Sequence, residues 1–393
     1  MTRFAYLLKL ETDSNHNRYY RMIAQPDGTF QIEMGRVGAQ PVKLKRPLEL
    51  WDDTLSRKLK EGYIDRSEAC QVTVRDIRKY APIQEPAVEE LFESLMRYAD
   101  IAIKDSYTVT WSEVSQEMID HAQDILSGIS GKSVDLINKE LEKLFIVIPR
   151  RMKDVKASLI KSPEEIPEVL QREQDLLDVL RAKAKYSEPF IQTDTKPTFL
   201  EANGLEARPC TDQEIDQILR HLTKESAPHF VRAYRIRNQK TDAQFYQYLK
   251  QHNLNESDIH YYYHGSPNMN YIGLITQGQK LNPKAPIAGK MFGQGLYYAP
   301  RAKKSIGYTS ICDRWRNKGL SKQGYLAVFK VAYKRPLHAY SYDPKYQFMD
   351  MNEIRPHDAL YAHADGGLSL YNDEIIVYNE AQVTMQYLIE IKK

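Results

Sequence analysis

The sequence predicts a multidomain α+β protein, and three observations carry that expectation. Charge falls into blocks: residues 1–80 hold 15 Lys+Arg against 11 Asp+Glu, residues 81–190 hold 14 against 21, and the remainder holds 26 against 20. The resulting basic, acidic and basic blocks coincide with a change of pattern. Short β-rich runs fill the first and third, while apolar residues recur at three- and four-residue spacing through the second. Finally, 393 residues exceed what one small core organises. The expectation is a small β-sheet/helix domain over 1–80, an all-α bundle over 84–186, and a mainly antiparallel β-sheet domain over 188–393.

In the first block, "FAYLLKLE", "RYYRMIA" and "TFQIEMGRVG" read as strands, with "PDG" at 26–28 as a turn between two of them. "PLELWDDTLSRKLKEGYID" has helical apolar spacing and ends near Gly62. Arg36 and the Lys43, Lys45, Arg46 cluster read, on composition alone, as a solvated loop. In the second block, "EPAVEELFESLMRYADIAIK", "WSEVSQEMIDHAQDILSGI", "VDLINKELEKLFIVIP" and "PEEIPEVLQREQDLLDVLRAK" are amphipathic helices punctuated by Pro149, Pro163 and Pro167. Their apolar stripes are most simply core.

"YSEPFIQTDTKPTFLEANG" reads as a linker, and Thr211 three residues before Glu214 marks a capped helix start. From residue 259 strands dominate: "DIHYYYHG", "GQGLYYAP", "GYLAVFKVAYKRPL" and "DEIIVYNEAQVTMQYLIEI". Cys70, Cys210 and Cys312 are sparse and lie at no zinc-ligand spacing, which suits an intracellular, reducing compartment and calls for no metal. The opening "MTRFAYLLKLETD" reads as a strand and not a signal peptide, and no apolar run reaches membrane-spanning length.

Three islands of the third block place polar groups between strand and loop: "YHGSPNMN", "APIAGKMFGQGLYYAPRAKKSIGY" and "LYNDEIIVYNEAQV". His264 stands at the tip of an aromatic strand. Gly289, Gly293 and Gly295 let the backbone pass close to something flat or bulky, and Tyr297, Tyr298 and Tyr308 offer faces for a heterocycle. "GKMFGQG" has neither the Walker pattern nor the dinucleotide-fold spacing. Glu374 opens a strongly apolar strand, where a carboxylate needs a partner or a task.

In order and wording, these islands resemble the catalytic domain of the poly(ADP-ribose) polymerases, the His-Tyr-Glu class of ADP-ribosyltransferases, over roughly the last half of the chain. "NRYY…DGTFQIEMGRVG…LELWDDTLSRKLKEGYIDRS" is similar to the family's WGR domain, a DNA-contacting module, and the middle bundle with "LEKLFIVIP" resembles its helical regulatory domain. The resemblance implies NAD as substrate and no metal. His264, Tyr297 and Glu374 would be catalytic. His264 would hold the adenosine-side ribose. Gly265, with Ser266 and Ser305, would bind the nicotinamide carboxamide between Tyr308 and Tyr297. Asn270 and Lys280 would lie near the adenosine, and Lys304 close to Glu374. Glu374 would bond the nicotinamide ribose.

It also implies partners: DNA strand breaks, met by Arg36, Lys43, Lys45 and Arg46, and protein acceptors including the chain itself. Its setting would be the nucleus of a eukaryote or the cytoplasm and nucleoid of a prokaryote. Met34 stands where the WGR tryptophan is usual, Lys290 replaces the donor-loop aromatic residue, Gln294 replaces a common lysine, and "YTVTWSEVS" replaces the usual bundle turn. Three readings stay open: a DNA-stimulated polymerase, a mono-ADP-ribosyltransferase, and an inert DNA-break scaffold.

Overall fold

The computed structural model describes residues 3–11, 15–67, 80–108, 114–129, 132–152, 154–185, 196–281, 290–312, 321–368 and 370–393. Cys70, Gly289 and residues 186–195 of the expected linker lie outside them. The chain divides into two compact units. One takes in Met1–Arg78 and Ile101–Pro189; the other takes in Lys79–Asp100, Phe190–Pro283 and Gly289–Lys393. Helices and largely antiparallel sheets make an α+β architecture.

The first unit begins with strands β1 (Phe4–Glu11), β2 (His16–Ala24), β3 (Thr29–Arg36) and β4 (Val42–Pro47), helix α1 (Trp51–Lys60) and the short β5 (Ile64–Asp65). The sheet order is β4-β3-β2-β1-β5. Alternation decides its faces: Ala5 and Leu7, Tyr20 and Met22, Phe30 and Ile32 point to one side and pack with Trp51. Met34 continues that register and is half-buried against the same core. The Lys43–Arg46 stretch is not a loop. It is an edge strand exposed along most of its length, so its strand period left no apolar signature. Gly28 and Gly62 take φ of +77° and +87°, closing the turn after "PD" and the end of α1.

Helix α2 (Pro86–Ser106) crosses the division between the units, its residues 86–100 belonging to the second. Helices α3 (Gln116–Ser127), α4 (Val134–Val147) and α5 (Ile166–Lys185) follow in the first unit, with α3 packed on both of the others. Ile119, Ala122, Leu126, Leu141, Leu144, Leu176 and Leu180 form the buried stripes. Arg150 is buried with Glu173 at 2.9 Å, and its guanidinium stacks on Tyr107.

In the second unit the end of the expected linker is folded: Thr198 and Glu201 cap a short helix α6 (Phe199–Ala202) that leads into β6 (Leu205–Pro209). Helix α7 (Asp212–His221) starts with the expected reciprocal cap, the Thr211 and Glu214 side chains each bonding the other's backbone N–H. Strand β7 (Phe230–Asn238), helix α8 (Gln239–Gln251), β8 (Ile259–Gly265), α9 (Tyr271–Gln277), β9 (Leu296–Tyr298), α10 (Ala302–Ile306), β10 (Gln323–Ala332), β11 (Pro336–Ser341), β12 (Ala359–Gly367), β13 (Glu374–Val377) and β14 (Val383–Lys392) complete it. One sheet runs β6-β7-β14-β10-β8 and the other β11-β12-β13-β9. Among the described strands, only the β11–β12 pair is parallel. An antiparallel bridge between Tyr263 and Ala299 joins β8 to the segment leaving β9.

Residues 86–100 rest on this unit's sheet: Arg232 binds Glu90 at 3.0 Å, and the Tyr234 hydroxyl donates to the Ala87 carbonyl. The Glu214 cap is strengthened by Arg208, whose two terminal nitrogens bond both carboxylate oxygens at 2.7 and 2.9 Å. Arg208 first, then the Thr211 backbone, holds the Glu214 carboxyl down at about 2. Because the folded pKa is depressed, the stabilisation is present above the unfolded value of about 4.3 and disappears as pH falls toward 2. Glu214→Gln should therefore cost up to about 1 kcal/mol near neutral pH. In thermal melts, the gap between wild type and variant should close as the medium is acidified through that window.

Candidate active site

Strand β8, "IHYYYHG", is antiparallel to β10, with His264 opposite Ala327 and Gly265 opposite Leu326. Gly265 is a steric requirement. A Cβ there would lie 1.7 Å from the Ser305 carbonyl oxygen. Ser305 in turn donates its hydroxyl to the Tyr263 carbonyl at 3.0 Å, so α10 is pinned to the end of β8. Asn270 Nδ2 donates to the Ser266 hydroxyl at 2.9 Å, while Asn270 Oδ1 is buried and accepts no hydrogen bond among the described residues. Gly265 thus answers to the close passage of the Ser305 backbone, and the unmet Asn270 acceptor marks a polar position beside it.

The glycines before β9 answer to the chain itself. Gly293 has φ of +70°, and a Cβ there would lie 2.2 Å from the Met349 carbonyl oxygen. A Cβ on Gly295 would lie 2.1 Å from the Ile376 side chain. The close passage expected for a ligand is thus, at these two positions, passage past Met349 and Ile376. Strand β9 pairs with β13, Tyr297 opposite Ile376 and Tyr298 opposite Ile375. The Tyr297 hydroxyl donates to the Gly293 carbonyl at 2.9 Å and accepts from the Phe292 N–H at 3.1 Å. Its phenol is pushed up by burial, and the Glu374 charge adds to the effect.

Glu374 is the first residue of β13, opposite Ala362 of β12. It forms an ion pair with Lys304 of α10, the two side chains being 15% and 13% exposed. Lys304 also donates to the Asn372 carbonyl at 3.2 Å. His264 Nδ1 lies 3.1 Å from the Tyr297 carbonyl oxygen. The three sequence islands therefore meet: β8 brings the histidine, β9 the tyrosine, β13 the glutamate and α10 its lysine. Tyr308 is 43% exposed, and its backbone N–H is bonded to the Ser305 carbonyl. Lys280 is bound by Glu380 at 2.7 Å.

The DNA candidates lie in the other compact unit. Lys43 pairs with Glu33 at 3.1 Å, Lys45 with Asp27 at 2.6 Å, and Arg46 stands opposite Phe30. Arg36 donates to the Asn15 carbonyl at 2.8 Å and to Asn15 Oδ1 at 3.1 Å, so it holds the turn between β1 and β2.

Sequence reasoning missed two groups around the site. Asp373 accepts from the Tyr361 hydroxyl at 3.0 Å and the Ala364 N–H at 2.9 Å, anchoring the residue before Glu374. Gln279 contacts both His264 and Tyr298. Asp373 was visible only as a neighbour of Glu374. Gln279 left no signal, because its contacts are made across 15 and 19 residues. Chemically, a half-buried carboxylate beside tyrosine faces suits a substrate that develops positive charge. Among the described residues no group of three or more His, Cys, Asp or Glu is placed to hold a metal, and no helix is long and apolar enough to cross a membrane.

Residues 212–333 match the model of the poly(ADP-ribose) polymerase catalytic domain. Over 182 residues the chain is 31% identical to uncharacterized protein 101L of invertebrate iridescent virus 6, covering 45% of this chain and 76% of that protein. It is 28% identical to human poly [ADP-ribose] polymerase 2 over 33% of this chain and 26% of the relative. It is 26% identical to chicken poly [ADP-ribose] polymerase 1 over 74% of this chain and 30% of the relative. The chain thus spans about a third or less of the two vertebrate proteins' length. With the histidine, tyrosine and glutamate brought together on β8, β9 and β13, the chain carries a poly(ADP-ribose) polymerase catalytic domain, the domain type of NAD-dependent ADP-ribosyltransferases.

Proposed function

We propose that the chain transfers ADP-ribose from NAD to protein acceptors, extends the product into chains, and is stimulated by broken DNA. The observation that carries this reading is the Glu374–Lys304 pair, a half-buried carboxylate held next to the Tyr297 and His264 strands. Gly265, Ser266 and Ser305 take the nicotinamide carboxamide, with Tyr308 and Tyr297 on its ring. His264 takes the adenosine-side ribose, with Asn270 and Lys280 nearby. Glu374 bonds the nicotinamide ribose. The bond from C1′ to the nicotinamide nitrogen breaks with its electron pair passing to nicotinamide. Glu374 stabilises the oxocarbenium-like ribose that remains. An acceptor hydroxyl then bonds C1′ and yields its proton to the carboxylate.

A mono-transferase is the second reading. Lys290 and Gln294, which lie 3.5 Å apart, depart from the usual acceptor-side residues. DNA recognition would fall to the WGR-like sheet, where Lys43, Lys45 and Arg46 share an exposed edge strand. The helices α3, α4 and α5 would act as a regulatory domain that hinders NAD until DNA is bound. DNA drives such a change only by binding better to the opened form.

Glu374→Gln keeps the shape and removes the charge. NAD binding should persist while chain elongation falls about 10²–10³-fold, read as product length on a gel. Long chains made at the native rate would remove Glu374 from catalysis, and single ADP-ribose units from the native chain would favour the mono-transferase.

For DNA, Lys43→Ala with Lys45→Ala should weaken binding to broken duplex and flatten its salt dependence, the slope falling by about 0.9 per lost phosphate contact. The rate without DNA should not change. Arg36→Ala should also lower DNA stimulation, but it releases the Asn15 turn, so the edge-strand pair is the cleaner probe. Equal DNA stimulation in the double variant would reject this surface.

Hydrogen exchange of the intact chain reports on regulation: α3, α4 and α5 should lose protection when broken DNA is added. Unchanged protection alongside stimulated activity would leave these helices a spacer.

A further inference from the structure

Strand β13 is four residues long, and Glu374 is its first. Its register against β12 sets Leu360 opposite Ile376 and Ala362 opposite Glu374, so the next pair of that kind would set Ala364 opposite Asn372. The ladder stops short of it. Instead the Ala364 N–H donates to Asp373 Oδ1 at 2.9 Å, and the Asn372 carbonyl accepts from the Lys304 ammonium at 3.2 Å. The Asp373 side chain thus takes the donor that faces Asn372, and the Asn372 carbonyl goes to the lysine paired with Glu374.

Asp373 is itself held. Its other oxygen, Oδ2, accepts from the Tyr361 hydroxyl at 3.0 Å. Burial first, and then the Asp373 carboxylate, push that phenol up to about 12, so the hydroxyl keeps its proton and donates. The Tyr361 ring stacks on His363 at 4.5 Å, and Tyr340 of β11 stacks on the same imidazole at 4.3 Å. His363 Nε2 in turn lies 2.8 Å from His338 Nδ1 of β11. Neighbours on β11 and β12 therefore fix the tyrosine, independently of the strand that carries the glutamate.

Two donors from β12 grip both oxygens of one carboxylate, immediately before Glu374. We propose that Asp373, gripped by Tyr361 and Ala364, is a positioning residue: it ends the β12–β13 ladder and leaves the Asn372 carbonyl to Lys304, so that Lys304 and Glu374 meet in one fixed geometry. Lys304 needs that second contact. An ammonium on a flexible four-carbon stem, bound by one carboxylate alone, can swivel about it. Without Asp373, the Ala364 N–H is free to bond the Asn372 carbonyl, which extends the ladder and draws that carbonyl from Lys304. This rests on the reading of Glu374 as the carboxylate that stabilises the ribose.

The test uses the full chain carrying Asp373→Ala. Lysines are labelled by a brief pulse of acetic anhydride and read one by one by mass spectrometry. Lys303, its side chain 59% exposed, is the internal reference. Lys304 should react slowly in native protein and several-fold faster in Asp373→Ala, with Lys303 unchanged. The kcat for ADP-ribose transfer should fall about tenfold to 10²-fold, the cost of a misplaced catalytic group, while the KM for NAD moves less. Placed on Glu374→Gln, the same substitution should cost almost nothing further, because it acts through Glu374. Equal fold-losses on the two backgrounds, in protein that melts like wild type, would overturn the proposal. So would unchanged Lys304 labelling. If Asp373→Ala does not fold, Tyr361→Phe, which removes a single hydroxyl, decides by the same criteria. Faster Lys304 labelling together with native turnover in Glu374→Gln would uphold the positioning and overturn the assignment of Glu374 to the ribose.

Discussion

The site depends on a strand of three residues. Leu296–Tyr298 is hydrogen-bonded to β13 along one side and joined through Ala299 to Tyr263 of β8 on the other. Its middle residue does several jobs at once: the Tyr297 carbonyl holds the His264 ring, and the hydroxyl ties down Phe292 and Gly293. So short a strand stays put only because its approach is sterically dictated. Gly293 and Gly295 pass Met349 and Ile376 at distances where no Cβ fits. Geometry at the histidine and at the glutamate is consequently set by one piece of backbone, which is how two β-sheets share a single site.

Electrostatics follow from that frame. Glu374 and Lys304 are both largely removed from water, a costly arrangement unless the charges are paired. Pairing holds the carboxylate in place before a substrate arrives. A preorganised negative charge is of most use where positive charge develops only in the transition state. His264 is treated in the opposite way. It is buried among aromatic rings and beside the Tyr297 carbonyl, and burial lowers its pKa against the pull of that carbonyl.

Much of this was legible in the sequence, and the limits have physical causes. β1 and β8 announce themselves by aromatic and β-branched runs, and the Thr211–Glu214 cap by its spacing. The meeting of "HGS", "QGLYYAP" and "NDEIIVY" was visible from their order. β12, "ALYAHADGG", was missed because small and acidic residues mask its alternation, and β7 because three arginines occupy its sequence. β4 carries no strand signature in the sequence, since nearly every residue on it faces solvent. Gln279 reaches His264 and Tyr298 by contacts across the fold, which no local pattern records.

The most direct measurement is a crystal structure of the full chain with a non-hydrolysable NAD analogue. The account predicts the carboxamide on Gly265 and Ser305, the nicotinamide ring between Tyr308 and Tyr297, the adenosine-side ribose on His264, and Glu374 on the nicotinamide ribose. An analogue bound with its nicotinamide ribose away from Glu374, or seated outside the β8–β9–β13 seam, would contradict it.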